Sequence, residues 1–317
     1  MDPEHHKALG EKPAFAPLRM TKLGESGKRN SAAIPPRART GYALRVTLSV
    51  VIVTHNEEAN LPRTLASVRS LVSKGKGEII VVDSGSTDRT VEIAKSYGAR
   101  VFVEEWKGYA AQKNSAIDKA IGDWILSLDA DEEVEARVSE HIRHMILGET
   151  RQSVRNGVPV EAVAVIASNV DGFWLNRKNH FLGRWIRHGG FWPDPKLRLF
   201  RRGSGRFEDR LVHEDVNLKG KVGTLGGALL HHSYPRLADY IDHMNRYSSL
   251  GAEMANARHA RGFSLIDIVV RPWATFVYNY FFRLGFLDGR EGLLLHLYHA
   301  VYVSWKYAKA WELGRGK

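Results

Sequence analysis

The chain predicts an α/β fold: a mainly parallel, Rossmann-like sheet flanked by helices, followed by a C-terminal helical extension. Three observations predict it. Short β-branched runs alternate with amphipathic segments between Leu48 and Leu128. Acids gather where those runs end, at Asp83, Asp129 and Asp131. Beyond Tyr234 and Pro235 the apolar positions change to helical spacing.

The elements follow in order. Leu48 to Thr54 is a buried strand, and His55-Asn56-Glu57-Glu58-Ala59-Asn60-Leu61 leads into a helix ending near Ser70. Glu78 to Asp83 is a second buried strand. Ser84-Gly85-Ser86-Thr87-Asp88 is a turn rich in helix-capping residues, and Arg89 to Tyr97 is the next helix. Ala99 to Val103 is a third strand, Tyr109 to Ile121 a third helix, and Trp124 to Leu128 a fourth strand. Strand and helix in strict alternation imply parallel pairing through right-handed crossovers, which puts Asp83, Asp129 and Asp131 on one edge of the sheet. That edge is where an open α/β sheet keeps its ligand crevice.

The fourth strand runs into Asp129-Ala130-Asp131-Glu132-Glu133. Acids two apart can face the same way and share a cation, and oxygen ligands suit Mg²⁺ or Mn²⁺ better than zinc. The same residues also suit the first turn of a helix, so the pattern alone leaves both readings open. The turn after the first strand lacks G-x-G-x-x-G and G-x-x-x-x-G-K-[ST], so no glycine-rich loop cradles phosphates. A bound diphosphate then needs a metal at Asp129 and Asp131, with positive charge from Lys113 or Arg198. Gly203-Ser204-Gly205 reads as a hairpin turn between Phe200 and Phe207.

Composition bounds the partners. The 317 residues can bury a substantial core, and the net charge of +11 fits nucleic acid, an anionic membrane or a phosphorylated substrate. With no cysteine, disulfides and thiolate metal sites are excluded. Residues 1–45, rich in Pro, Gly, Ser, Lys and Arg without apolar periodicity or a signal-like stretch, read as a disordered basic tail. An α/β domain with a nucleotide site at its sheet edge is expected over residues 46–235 and the helical extension over 236–317.

Four ordered motifs now carry a resemblance. Val53-Thr54-His55-Asn56-Glu57, Val82-Asp83-Ser84-Gly85-Ser86-Thr87-Asp88, Gln112-Lys113-Asn114 and Leu128-Asp129-Ala130-Asp131-Glu132 together resemble the family-2, GT-A-fold glycosyltransferases. Gly189-Gly190-Phe191-Trp192-Pro193-Asp194, Leu197-Arg198-Leu199-Phe200 and Val212-His213-Glu214 are similar to bacterial transferases that add glucose to the inner core of lipopolysaccharide. The resemblance implies that Thr54 and Glu57 line the nucleotide pocket. It gives Asp83 to the base, His55 to a position where relatives stack an aromatic ring, Asp129 to the ribose and metal, and Asp131 to the metal and diphosphate. It also implies an inverting reaction without a covalent intermediate, so a carboxylate must take the acceptor's proton from across the sugar. Glu214 is the first candidate base and Asp209 the second; the alternative is that these acids pair with Arg201, Arg202, Arg206 and Arg210. His231, at the end of a returning strand with His232, is a candidate third metal ligand or else a buried structural histidine. Asp194 and Arg198 are candidates to face acceptor or diphosphate. For Lys113 and Asn114 the alternative is a solvated helix face.

Beyond Pro235, Ile266, Val269, Val270, Trp273, Phe276, Val277, Tyr280, Phe281 and Leu284 recur at helical spacing, with Pro272 a helix entry or kink, and Leu293 to Trp305 form a second apolar run. Neither reaches the ~20 residues of a spanning helix. Flanking Arg271, Arg283, Arg290, Lys306 and Lys309 suit helices lying in an anionic membrane interface, while packing on the catalytic domain or a dimer contact explains them equally. The function expected is transfer of one sugar, glucose from a UDP donor, to a lipid-linked or lipopolysaccharide-core saccharide, by a cytoplasmic enzyme peripheral on the inner membrane face. A polyprenyl-phosphate glycosyltransferase is the alternative enzyme. A non-enzymatic nucleic-acid binder would account for the charge but has no use for the acids, so nucleic acid is not an expected partner. Oligomeric state is left open.

Overall fold

Strand β1 (Leu48–Thr54) sits inside the sheet with a parallel strand on each side, and all its Val and Ile side chains but the half-buried Val53 are closed off from water. The computed structural model describes residues 47–147, 170–208, 215–258 and 262–315, all within one compact unit, Leu44–Lys317. Helix α1 (Leu61–Val72) starts with Pro62 in its first turn, where a missing N–H costs nothing. Then follow β2 (Gly77–Asp83), α2 (Thr90–Ser96), β3 (Arg100–Val103), α3 (Tyr109–Asp118), β4 (Trp124–Asp129), β5 (Glu132–Val134) and α4 (Ala136–Met145). The order β3-β2-β1-β4 is parallel throughout, as the alternation predicts. Period-two alternation splits the core. Val50, Ile52, Leu126 and Leu128 pack on one face with residues of α1, α2 and α4, while Val51, Ile80, Val82 and Ile125 pack on the other with α3.

The second half closes the sheet differently. Strands β6 (Gly172–Phe181), β7 (Arg184–Trp185), β8 (Pro195–Arg201) and β11 (Val222–Tyr234) extend it in the order β4-β8-β6-β11-β5, with β7 on β6. Strand β8 is antiparallel to β4 and β6, and β11 is parallel to β6 and antiparallel to β5. The chain does turn at residues 202–204, where the Ser204 N–H donates to the Arg201 carbonyl at 3.1 Å, but it makes no hairpin. Strand β9 (Gly205–Phe207) pairs instead with β10 (Val216–Leu218) in a separate ladder, because β4 and β6 already occupy both edges of β8.

Helix α5 (Leu237–Arg258) packs along α7 (Gly289–Arg315). Between them α6 (Arg271–Val277) is flanked by π-helical turns at Ile266–Val270 and Tyr278–Phe282. Pro272 lies inside the first turn of α6, buried, where it neither breaks nor ends the helix. Among the described residues no helix is long and apolar enough to cross a membrane.

Candidate active site

The register brings the acids together. Thr54 pairs with Asp83 and Val53 with Asp129, so the carboxyl ends of β1, β2 and β4 meet at one edge. The turn after β4 is pinned from two sides: the Thr64 hydroxyl of α1 donates to the Ala130 carbonyl at 2.6 Å, and the His232 N–H donates to the Asp131 carbonyl at 3.0 Å. Glu132 faces His231 across the β5–β11 pair, and His231 faces Asn179 across the β11–β6 pair. Non-local strand pairing thus sets Asp131, His231 and Asn179 side by side.

The acid at the end of β4 is held by cations. Lys113 Nζ is 2.8 Å and Arg198 2.5 Å from the Asp129 carboxylate, and the same Arg198 nitrogen is 2.7 Å from Glu132, which is fully buried and also accepts the Asp129 N–H at 3.0 Å. Arg177 lies 3.4 Å from Glu132 and 2.9 Å from Asp194, and Lys196 lies 3.4 Å from Asp194. Burial would raise the Asp129 pKa, but Arg198 and Lys113 overcome it and hold the carboxyl well below its usual range. Lys113 is buried, its ammonium 5.2 Å from the centre of the Phe207 ring, and Asn114 is bonded both ways to the Phe207 backbone. The solvated-face reading of these two residues is therefore wrong, because β9 covers that side of α3.

Asp131 has a different partner. Its Oδ2 lies 3.2 Å from His231 Nε2. Burial pushes its pKa up, His231 pulls it down, and the net direction is downward. Asn179 donates through its amide nitrogen to Asp194 at 3.1 Å, which turns its oxygen toward His231 Nδ1 at 2.7 Å. The Ser233 hydroxyl also lies 2.6 Å from Nδ1; with the hydrogen on Nδ1, toward the Asn179 oxygen, a neutral ring presents a lone pair at Nε2 to the carboxylate. Two acceptors 3.2 Å apart need positive charge between them, either a second ring proton or a metal ion. An imidazole nitrogen and a carboxylate oxygen suit a divalent ion whose remaining ligands come from water or phosphate. Among the described residues no group of three or more His, Asp or Glu forms a complete cage, so any such ion would be shared with a ligand.

The nucleotide side is built on the β1 and β2 ends. Asp83, fully buried, accepts from the Gly85 and Ser86 N–H groups at 3.0 and 2.8 Å, from Thr54 at 2.8 Å and from the Ser86 hydroxyl at 2.5 Å. The resemblance gives this acid to the base, but here both its oxygens are taken up in shaping the turn. Buried Thr54 is part of the same brace. Exposed His55 stands beside it, with Nδ1 3.2 Å from the Ser84 carbonyl. Asn56, at φ 55, takes the left-handed conformation Asn tolerates and ties the two turns through Ser86 and Thr87. Burial pushes the Glu57 carboxyl up, Asn60 opposes it, and the charges of Asp131, Asp88 and Asp129 add to the rise.

The two candidate bases, Asp209 and Glu214, lie outside the described residues, as does Arg210. Their flanks are closed: the Glu208 N–H donates to the Asp215 carbonyl at 3.1 Å, next to Phe207 and thus near Lys113. The neighbouring arginines have other described partners: Arg206 pairs with Asp118, Arg202 donates to the Gly122 carbonyl, and Arg201 to the Val170 carbonyl.

Several residues at this corner were not picked out from sequence. Glu132 and Arg177 complete the charge network. Near Asp131 and His231, Tyr234 meets His243 edge-on with ring centres 5.5 Å apart, and His243 stacks on Tyr247 at 4.1 Å. Half-buried polar residues running through a central strand, Asn176 to His180, were the available signal for the β6 contribution.

Histidine burial gives a pH prediction. Burial, then Arg246 and His231, push His243 down to about 4, and burial and His299 push His296 down to about 4, each from an ordinary 6.5. His296 is wedged between Gly189 and Gly285, where a Cβ on either glycine would overlap its ring, and neither ring nitrogen has a hydrogen-bond partner among the described residues. Between those values the unfolded chain binds more protons than the folded one, so stability is full above pH 6.5 and falls as pH drops toward 4. Urea unfolding at a series of pH values should show a slope of up to ~1.4 kcal/mol per pH unit for each imidazole. His243→Gln should remove its share, and a flat profile would contradict this burial.

Residues 49–204 match the family model described as Glycosyl transferase family 2. The chain carries a family-2 glycosyltransferase domain. Its similarity to relatives runs well past that domain. The lipopolysaccharide core biosynthesis glycosyltransferase LpsC of Rhizobium meliloti is 28% identical over 277 residues, 84% of this chain and 93% of LpsC. An uncharacterized glycosyltransferase of Rickettsia typhi is 29% identical over 268 residues, 84% of this chain and 87% of its own. Among solved structures, a mannosyltransferase of Pyrobaculum calidifontis in complex with GDP-Man and Mn²⁺ aligns over 84% of this chain and 88% of its own, at 16% identity and a TM-score of 0.46.

Proposed function

We propose that this glycosyltransferase moves one sugar, glucose from UDP-glucose, onto a lipid-linked or lipopolysaccharide-core saccharide at the inner face of the cytoplasmic membrane. The observation that carries the reading is the Asp131–His231 pair, two acceptors face to face at the sheet edge beside a clamped Asp129. Within this cluster four carboxylates, Asp129, Asp131, Glu132 and Asp194, face four permanent cations, Lys113, Arg177, Arg198 and Lys196. Among these described residues the charges balance, so a diphosphate is matched better when it arrives with a countercharge. Mg²⁺ or Mn²⁺ held by Asp131 and His231 would supply it and stabilise the charge that develops on the leaving group. The likeness to LpsC supports the choice of acceptor.

The chain's own residues would do the rest. Asn179 fixes the His231 ring so that Nε2 faces the ligand. Lys113 and Arg198 keep Asp129 ionised and in place for the ribose. The acceptor oxygen forms the bond to the anomeric carbon as the bond to the diphosphate oxygen breaks, and Glu214, or Asp209 as the second choice, takes the hydroxyl proton. Turnover of Glu214→Gln and Asp209→Asn, with donor binding measured separately, assigns that role: the base variant should lose turnover by roughly two orders of magnitude or more and keep donor binding.

A thermal-shift screen tests the donor. UDP-glucose at a hundredfold excess over its Kd should stabilise the protein by ~2.7 kcal/mol. The shift should need Mn²⁺ or Mg²⁺ and vanish with EDTA. Equal shifts with and without metal would overturn the metal-assisted reading, and no shift with any nucleotide sugar would overturn the donor reading.

A further inference from the structure

The C-terminal segment does not bury its apolar residues. Ile266, Val269, Val270 and Trp273, spaced i, i+3, i+4 and i+7, are 66, 57, 51 and 66% exposed. Across the π-helical turn at Tyr278–Phe282 the stripe resumes at Tyr278, Phe281 and Phe282, and Phe282 reaches 75%. Phe286, Leu287 and Leu293 extend the exposed surface. The opposite side of the segment is the packed one, where Ser304 of α7 donates to the Ile268 carbonyl at 2.8 Å and Arg271 donates to Tyr307 at 3.0 Å. A soluble monomer rarely leaves so many neighbouring large apolar side chains in water.

We propose that this face seats the protein on an anionic phospholipid bilayer, lying in the interface and not crossing it. Charge placement selects that occupant. Arg184, Arg187, Arg271, Arg283 and Arg290 around the apolar residues are all exposed. The acids of the same region are withdrawn: Asp288 is buried, and Asp267 and Glu291 are half-buried beneath Arg271 and Arg184. Anionic headgroups neutralise such a rim. A second copy docking through the same patch would set arginine against arginine, as a two-fold interface must repeat its own surface.

The face is also fastened to the loop at Arg187–Gly189 that precedes Asp194. Asp288 accepts from the backbone N–H groups of Arg187 and His188 at 3.1 and 2.8 Å and lies 3.0 Å from the His188 ring. The Gly189 N–H donates to the Arg283 carbonyl at 2.9 Å, and His296 fills the space between Gly189 and Gly285. The loop that runs on to Asp194 is thereby held against the docking segment, so a seated enzyme presents its site at a fixed height above the lipid. The proposal extends the lipid-linked-acceptor reading and rests on it for its purpose, while its observations are independent of the catalytic site.

The test is flotation of the full-length protein with phosphatidylcholine vesicles, with and without phosphatidylglycerol. Binding is expected on the anionic vesicles and should weaken with salt. Trp273→Glu with Phe282→Glu should weaken it by about tenfold or more. Arg290→Glu should weaken it by about tenfold on anionic vesicles and hardly at all on neutral ones. Melting temperature and the UDP-glucose thermal shift should be unchanged, because these side chains are exposed and none of them is among the residues that hold the site acids. Absence of anionic binding, or equal binding by the double variant, overturns the proposal. A wild-type dimer that the double variant makes monomeric, without vesicle binding, assigns the face to a second copy and overturns it too. Loss of the donor shift with vesicle binding intact would sink the transferase reading and leave the docking face standing.

Discussion

Asp131→Asn is expected to lower sugar transfer by roughly two to three orders of magnitude, the scale of losing one group that stabilises developing charge. The melting temperature should barely move. Asp131 is about a quarter exposed and its described side-chain ion pair is with His231 alone, so the share of stability that its lowered pKa represents is small. The amide keeps the shape but loses the anionic oxygen that, with His231 Nε2, demands a cation between them. The metal-dependent part of the donor thermal shift should therefore disappear while any metal-independent binding survives. His231→Gln should behave in the same way. The double variant should be little worse than either single one, because two ligands of one ion act as a unit. If instead each change lowers the melting temperature and spares turnover, the pair is a structural ion pair and the metal belongs elsewhere.

How much of this was legible depends on the range of the interactions. The four parallel strands and their helices were readable because each is announced locally: Leu48–Thr54, Gly77–Asp83 and Trp124–Asp129 are continuous apolar runs that end on the ligand edge. Asp129 and Asp131 were visible for the same reason. Glu132 belongs to the same acidic run, but sequence spacing does not name its partners. What buries it is Arg198, 66 positions later, and Arg177, 45 positions later, which reach it only once β4, β8, β6, β11 and β5 are laid side by side. No local pattern specifies that order. The Gly203–Gly205 error has a similar origin, since turn chemistry marks where the chain reverses but not which strand it joins. Lys113 shows the converse. Its motif was noticed, but its burial under Phe207 follows from a β9–β10 ladder that sequence spacing does not reveal. Helical spacing in residues 266–284 was legible too, yet a period of 3.6 says only that one face is apolar. Whether that face meets protein or lipid depends on what α7 leaves uncovered.

Arg198→Met should be the most destabilising single change in the site, by about 3–5 kcal/mol in urea unfolding, as expected when one partner of a buried ion pair is removed. Arg198 is 5% exposed and sits between Asp129 and Glu132 at 2.5 and 2.7 Å. Burial opposes its charge, and those two carboxylates more than compensate. Methionine fills the space but leaves Glu132, without exposure to water, with the Asp129 N–H at 3.0 Å and, as its described cation, Arg177 at 3.4 Å. Adding Glu132→Gln should recover a large part of the loss, because the uncompensated charge and not the missing attraction is the main cost. Acid titration separates these terms. Asp129 has a depressed pKa, so its share of stability is present above the ordinary 3.8 and is lost as pH falls through its lower folded value. Without Arg198 that folded value rises toward or past the ordinary one, and the acid-induced loss should begin at higher pH than in the wild type. An unchanged acid limb together with a small change in urea stability would mean that Lys113 and Arg177 suffice, and that Arg198 is present for the ligand and not for the fold.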